Sequence, residues 1–374
     1  VSERTPVSST SLQVPSKLSH PEGRRDLVRQ VAQVALATAY RGLQQDNPER
    51  FTRSPDRPLL RRLYYETEDG WRAPLFRIEP LPGATGEPVV IAHGLGVNRH
   101  SLDFDDDLSL ARTLRDAGFA VFLFEHRGDR TALPPPNARG FDFDDIASQD
   151  VPAAIDAVLS DTGYRKALYV GHALGGQLLY GALAHMGTDA IAAATTLCAP
   201  VRFPKPRTGA RALSLACRLL PKRGQLPTRA AAALLAPGSR PGRGRTAMLS
   251  GLGTNGEVTR GVMLHGAEDL GLGLVRQVLR WFDAGSLVDR DDRLDYVDAL
   301  RGMTLPLQIV ASHGDPLCPP SRAVPVLESL QGPRQLELLD GGWGHLDPLL
   351  GARAHAELFP RIVDWLSEHR RGCW

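Results

Sequence analysis

Ala167-Leu168-Tyr169-Val170-Gly171-His172-Ala173-Leu174-Gly175-Gly176 is the stretch that decides how the chain is read. Four apolar or aromatic residues run into a turn flanked by Gly171 and Gly175, and Leu178, Leu179, Ala182 and Leu183 follow at helical spacing. The pattern predicts strand, sharp turn and helix. Working outward, 88–92 and 120–124 are short apolar runs of buried-strand type, with helical periodicity over 108–117 between them. Asp150-Val151-Pro152 opens a further helix, with Asp at the cap, Pro in the first turn and an apolar face of Ile155, Val158 and Leu159. Strands are expected at 191–197, 305–311 and 335–339, and a last helix over 354–369 turns Leu358, Ile362, Trp365 and Leu366 inward. Ahead of all these, 63–66 and 71–78 form a hairpin about Asp69-Gly70. Strands and helices alternating at these lengths give an α/β fold, a mostly parallel central sheet with helices on both faces. No repeat of fixed period interrupts it.

At 374 residues the chain suits one α/β core with an insertion better than two small domains, and a formal charge of +2 argues for no bulk charged partner. The balance is local, because no Asp or Glu occurs from Val201 to Asn255, where Arg and Lys are frequent. The expected organisation is a Ser-, Pro- and charge-rich flexible tail over 1–22, a first core part over 23–199, an Arg-, Pro- and Gly-rich insertion over 200–300, and a second core part over 301–374. An amphipathic helix over 25–43 carries Leu27, Val31, Val34 and Ala35 on one face, and helical pieces fall at 211–220, 229–235 and 274–281. Cys198, Cys217, Cys318 and Cys373 show no C-x-x-C pair and no metal-ligand spacing, so they read as ordinary thiols, with no metal expected. No apolar run approaches the ~20 residues of a membrane span, and the start of the chain is polar. A cytoplasmic protein is expected; nothing in the sequence fixes its oligomeric state.

The strand, glycine-flanked turn and helix around Ala173 resemble the nucleophile elbow of α/β-hydrolases, where glycines two residues either side of the tip let a strained backbone lift one side chain above the sheet. That family's G-x-S-x-G pattern wants serine, and Ala173 stands at the tip. A methyl group cannot attack a carbonyl. His93-Gly94-Leu95-Gly96 is similar to the family's H-G-x-G oxyanion loop, which implies Leu95 and Leu174 as backbone N–H donors. Ser312-His313-Gly314-Asp315-Pro316-Leu317-Cys318-Pro319-Pro320 resembles the acid loop and implies Asp315 as the acid. His345, in Gly341-Gly342-Trp343-Gly344-His345-Leu346-Asp347, takes the place of the general base. The order nucleophile, acid, histidine agrees with this superfamily.

The resemblance covers roughly 88–369 and is closest to the lipase/esterase-like and polyhydroxyalkanoate-synthase-like branch, carried by 92–99, 124–128 and 344–351. Those synthases use cysteine as nucleophile, and position 173 holds neither Ser nor Cys. The family carries its cap at the place of the 200–300 insertion, which therefore reads as a cap or lid. The implied substrate is a carboxylic ester with a hydrophobic acyl part, a lipid or polyester, with no cofactor.

Three readings of Ala173 remain open. Removing the nucleophile of a triad costs on the order of 10⁶ in turnover, so the chain is an esterase whose serine was deliberately or recently removed, a natural pseudo-enzyme that binds a hydrophobic ligand or partner, or a His-Asp enzyme working without a covalent step. Cys318 and His172 are weak replacements: Cys318 faces the wrong end of the constellation, and His172 suits local packing. Gly251-Leu252-Gly253-Thr254-Asn255-Gly256 follows no strand, which speaks against dinucleotide binding. Asp103, Asp105, Asp106 and Asp107, like Asp142, Asp144 and Asp145, lack the spacing of a calcium loop and suit helix starts and surface. The basic cap offers charge to an anionic membrane surface or an acidic substrate and fits solvated arginine equally well. It has almost no aromatics to stack on bases, so no nucleic-acid partner is expected.

Overall fold

The computed structural model of the chain describes residues 60–205, 223–235 and 256–374. The expected tail, the amphipathic helix over 25–43, the helical piece over 211–220, Cys217 and nearly all of the 251–256 glycine motif lie outside these residues.

The central sheet has eight strands: β1 (Arg61–Glu66), β2 (Arg72–Ile78), β3 (Pro88–Ala92), β4 (Ala120–Phe124), β5 (Ala167–His172), β6 (Ile191–Leu197), β7 (Leu307–Ser312) and β8 (Arg334–Leu339). Their spatial order is β1-β2-β4-β3-β5-β6-β7-β8. β2 runs antiparallel to both β1 and β4, and every pairing from β4 to β8 is parallel. Side chains alternate between two apolar layers, as a pleat of period two requires. Val90, Ala92, Phe122 and Tyr169 face one layer, and Val89, Ile91, Val121 and Val170 face the other. The first layer receives helices α2 (Val151–Thr162), α3 (Leu174–Met186) and α4 (Leu272–Ala284); the second receives α1 (Leu110–Asp116) and α5 (Phe359–His369). This is the α/β-hydrolase architecture. The chain jumps from β4 back past β3 to β5, and at such a switch point the carboxyl ends of parallel strands leave a crevice for a ligand.

One helix start differs from the expectation at Asp150. The capping box lies further back, at Asp142 and Asp145, and the chain passes through an α turn (Phe143–Asp145) and a π-helical turn (Ile146–Asp150) before α2. The wider turn suits Pro152, which has no N–H to give an ordinary helical bond. Asp150 is thus inside a helix, and its carboxylate is spent elsewhere: it accepts from the Arg127 N–H at 2.6 Å and from Arg127 Nε at 2.5 Å. The last helix also begins with a π-helical turn (Ala354–Leu358), with α5 regular only from Phe359. The acidic clusters do more than start helices, since Asp144 is buried, accepts from Tyr296 Oη at 2.8 Å and pairs with Arg290 at 3.0 Å. Among the described residues no helix is long and apolar enough to cross a membrane.

Candidate active site

Ala173 sits between β5 and α3 at φ 48° and ψ −110°. A non-glycine residue there costs on the order of 1–3 kcal/mol, which the surroundings must hold in place. They do so through the Ala173 N–H, which donates to the Leu197 carbonyl at 2.8 Å, and through the Ala173 carbonyl, which accepts from Gly176 and Gln177. Gly175 lets α3 start against the end of β3, because a Cβ on it would lie 2.4 Å from the Ala92 carbonyl oxygen. Gly171 faces the same crowded turn from β5. Leu174 is the first residue of α3, so its N–H is among those with no intrahelical acceptor.

The loop after β3 lies over this elbow. A Cβ on Gly94 would come within 2.9 Å of His172 Nδ1 and 3.5 Å of the Ala173 Cβ, so the backbone carrying Leu95 approaches the tip because residue 94 is glycine. Behind it, buried His93 contacts the Gly94 carbonyl through Nδ1 at 2.9 Å and Glu125 through Nε2 at 2.9 Å, and Glu125 accepts from the Arg99 N–H at 2.9 Å. Burial opposes a charged His93, but Glu125 raises its pKa overall. The same polar framework continues to Arg127, buried and paired with both Asp150 and Asp69.

Asp315 and His345 come together across the ends of β7 and β8. His345 Nδ1 lies 2.8 Å from Asp315 Oδ2, while Oδ1 accepts from the Leu317 and Cys318 N–H groups at 2.8 and 3.0 Å. Burial works against the Asp315 charge, yet His345 and these two donors hold its carboxyl below the usual range. Cys318 contributes its backbone to the acid, and its own thiol is pushed well up by burial. His172, which the sequence suggested only for local packing, reaches further: its Nε2 lies 2.9 Å from the His345 carbonyl and so ties the elbow to the histidine loop. Burial, then the neighbouring His345, push the His172 ring down to about 3, so it is neutral and donates from Nε2.

Cys198 was not anticipated at the site. It follows β6 with a strained φ of 49° and is fully buried. Its Sγ lies with Asp315 and His345 in a group whose ligand-type atoms fall within 4.8 Å of one another. Burial above all, with Cys318 and Asp315 nearby, raises its pKa well above the usual thiol value, so it is a protonated thiol and not a thiolate ligand. No local pattern in the sequence marks this contact, which depends on how β6 and β7 end side by side.

A strained tip at a strand–helix turn, a glycine loop over it and a buried Asp-His pair at the carboxyl ends of parallel strands define a hydrolase-type scaffold. A family model for the alpha/beta hydrolase fold matches residues 87–352, and the chain belongs to that family. Human gastric triacylglycerol lipase is 34% identical over 122 residues, covering 29% of this chain and 31% of that lipase. Lipase 1 of Drosophila melanogaster is 36% identical over 117 residues, covering 29% of this chain and 26% of that protein. The likeness thus spans under a third of either relative. Among solved structures, the monoacylglycerol lipase of Paleococcus ferrophilus superposes with a TM-score of 0.55 at 18% identity, covering 83% of this chain and 99% of that one. A thermophilic esterase from Thermogutta terrifontis does so at 0.53 and 18%, with the same coverage. At these identities the two structures share the fold.

Proposed function

We propose that the chain is an acyl-transfer scaffold of the carboxylic-ester hydrolase type, built for a lipid-like or polyester-like substrate, in which Ala173 occupies the nucleophile position and leaves the protein binding esters with little or no turnover. The observation that carries this reading is that Ala173 is held at φ 48° above the sheet, where an alanine gains nothing from the strain. His345, oriented by Asp315, is the general base of the reading, and the Leu95 and Leu174 N–H groups are its oxyanion donors. The lipase relatives support an ester substrate, and the likeness of 92–99, 124–128 and 344–351 to polyester synthases supports a hydrophobic acyl part. With a serine at the tip, its Oγ gives a proton to His345 as it attacks the ester carbonyl. The tetrahedral oxyanion collapses to an acyl-enzyme as His345 passes that proton to the departing alcohol, and water deprotonated by His345 then cleaves the acyl-enzyme to release the acid and restore the serine. Without that oxygen only binding and oxyanion stabilisation remain, worth roughly 10³ to 10⁴ over water.

Hydrolysis of p-nitrophenyl esters of short and long acyl chains by the parent and by Ala173→Ser tests the reading. A gain of several orders of magnitude in the variant, with the parent near background, supports it. Activity in neither protein sinks it in favour of a ligand-binding role, and parent activity lost on His345→Ala would favour a His-Asp mechanism without a covalent step.

A further inference from the structure

The residues that follow the π-helical turn Val262–Gly266 lie across the candidate oxyanion loop as a strap. The Asn98 N–H donates to the Gly266 carbonyl at 2.9 Å, and the Glu268 N–H donates to the Gly96 carbonyl at 2.9 Å, so 96–98 and 266–268 pair like two short antiparallel strands. The residue gripped by Glu268 is thus the immediate neighbour of Leu95. The Glu268 carboxylate is buried and collects Asn98 Nδ2 and Arg130 Nε, each at 2.7 Å, on one oxygen. The same two side chains also donate to the His265 carbonyl at 3.0 Å, and Thr228 Oγ1 donates to the Glu268 carbonyl at 2.6 Å.

The strap also closes the space. The cavity bounded by Leu95, Gly96 and Val97 on one side and Glu268, Leu270 and Leu274 on the other measures about 10 Å³. That is room for about one water, so the strap packs directly on the loop. Leu270 Cδ2 packs 3.4 Å from where a Cβ on Gly96 would stand. Lifting 266–271 would take away the bonds that fix Gly96 and Asn98.

We propose that Glu268 is a positioning residue that couples closure of the 266–271 strap to the placement of the Leu95 N–H, so that the oxyanion hole is complete only when the strap is down. The inference rests on the acyl-transfer reading for the role of Leu95, but the mechanical coupling is a property of the parent chain. Glu268→Ala removes the acceptor for the buried Asn98 amide and for the more exposed Arg130 guanidinium, whereas Glu268→Gln keeps a carbonyl oxygen for Asn98 and loses the charge that holds Arg130.

Two readouts test it together. In the parent chain, hydrogen exchange followed by mass spectrometry should show the amides of 94–98 exchanging at least tenfold faster in Glu268→Ala, with those of β3 and β5 unchanged and Glu268→Gln intermediate. In the Ala173→Ser background, Glu268→Ala should lower kcat for p-nitrophenyl butyrate at least tenfold while KM changes less than threefold, with Glu268→Gln partly restoring kcat. If Ala173→Ser hydrolyses the ester and both Glu268 variants match it in kcat and in exchange, the coupling is refuted while the esterase reading stands. If Ala173→Ser hydrolyses nothing, the esterase reading fails, and the exchange comparison still decides the coupling: acceleration confined to 94–98 supports it, and unchanged exchange refutes it. Should Glu268→Ala speed exchange throughout the sheet, Glu268→Gln alone decides by the same criteria.

Discussion

Replacing His172 with Gln should flatten the acid side of the stability curve. The folded ring is buried, donates to the His345 carbonyl and has its pKa pushed down to about 3. In the unfolded chain the same ring titrates near its ordinary value of about 6.5. Between these two values the unfolded state holds a proton that the folded state does not, so stability rises with pH and is lost progressively as pH falls below about 6.5. Going from pH 7 to pH 5, this single group costs about 2 kcal/mol of folding free energy, because the unfolded ring becomes almost fully protonated and the folded one stays neutral. His126, pushed down to about 4 by burial and then by His93, acts in the same direction. Glutamine keeps an N–H for the His345 carbonyl and has nothing to titrate. It loses some packing at every pH, so the informative quantity is the change with pH. Urea unfolding followed by tryptophan fluorescence at pH 7 and pH 5 should show the variant losing about 2 kcal/mol less than the parent over that interval. Equal losses in the two proteins would refute the claim that His172 is neutral and buried in the fold.

Other perturbations have defined outcomes. Arg127→Met keeps the backbone N–H to Asp150 but leaves that buried carboxylate without its ion-pair partner, and should lower stability by about 3–5 kcal/mol, measured by the same urea titration. Gly175→Ala drives a Cβ to 2.4 Å from the Ala92 carbonyl oxygen, so α3 must shift away from β3. It should cost about 1–3 kcal/mol, and in the Ala173→Ser background it should lose at least tenfold in kcat for p-nitrophenyl butyrate. Asp315→Asn in that background removes the acceptor that fixes the His345 tautomer and should reduce kcat by roughly 10⁴ while KM stays within a few-fold.

The sheet was legible because its middle strands are buried on both faces. The runs at 88–92 and 120–124 are continuous apolar segments, 191–197 departs from that only at Thr195 and Thr196, and β3, β4 and β6 occupy those limits. Asp150 was misplaced because Asp before Val-Pro is a sound local cap signal, whereas its real partner, Arg127, lies 23 residues back along the chain. The elbow glycines and the spacing of Asp315 and His345 could be seen in the sequence, since the tight turns that carry them need particular residues. The bond from His172 to the His345 carbonyl spans 173 residues, and that from Asn98 to Glu268 spans 170. Neither leaves a trace in local spacing. The strained backbone at Cys198 is hidden for the same reason, because cysteine has no turn preference to betray it.

Labelling with an alkyl fluorophosphonate, read by intact-protein mass, tests most directly whether Ala173 stands where a nucleophile would be activated. Such a reagent phosphonylates an activated serine, losing fluoride as the serine proton passes to the base. The parent should remain unlabelled, Ala173→Ser should gain one adduct per chain, mapped to residue 173, and His345→Ala in that variant should slow labelling by several orders of magnitude. An unlabelled Ala173→Ser protein, or one labelled at the same rate without His345, would contradict the account.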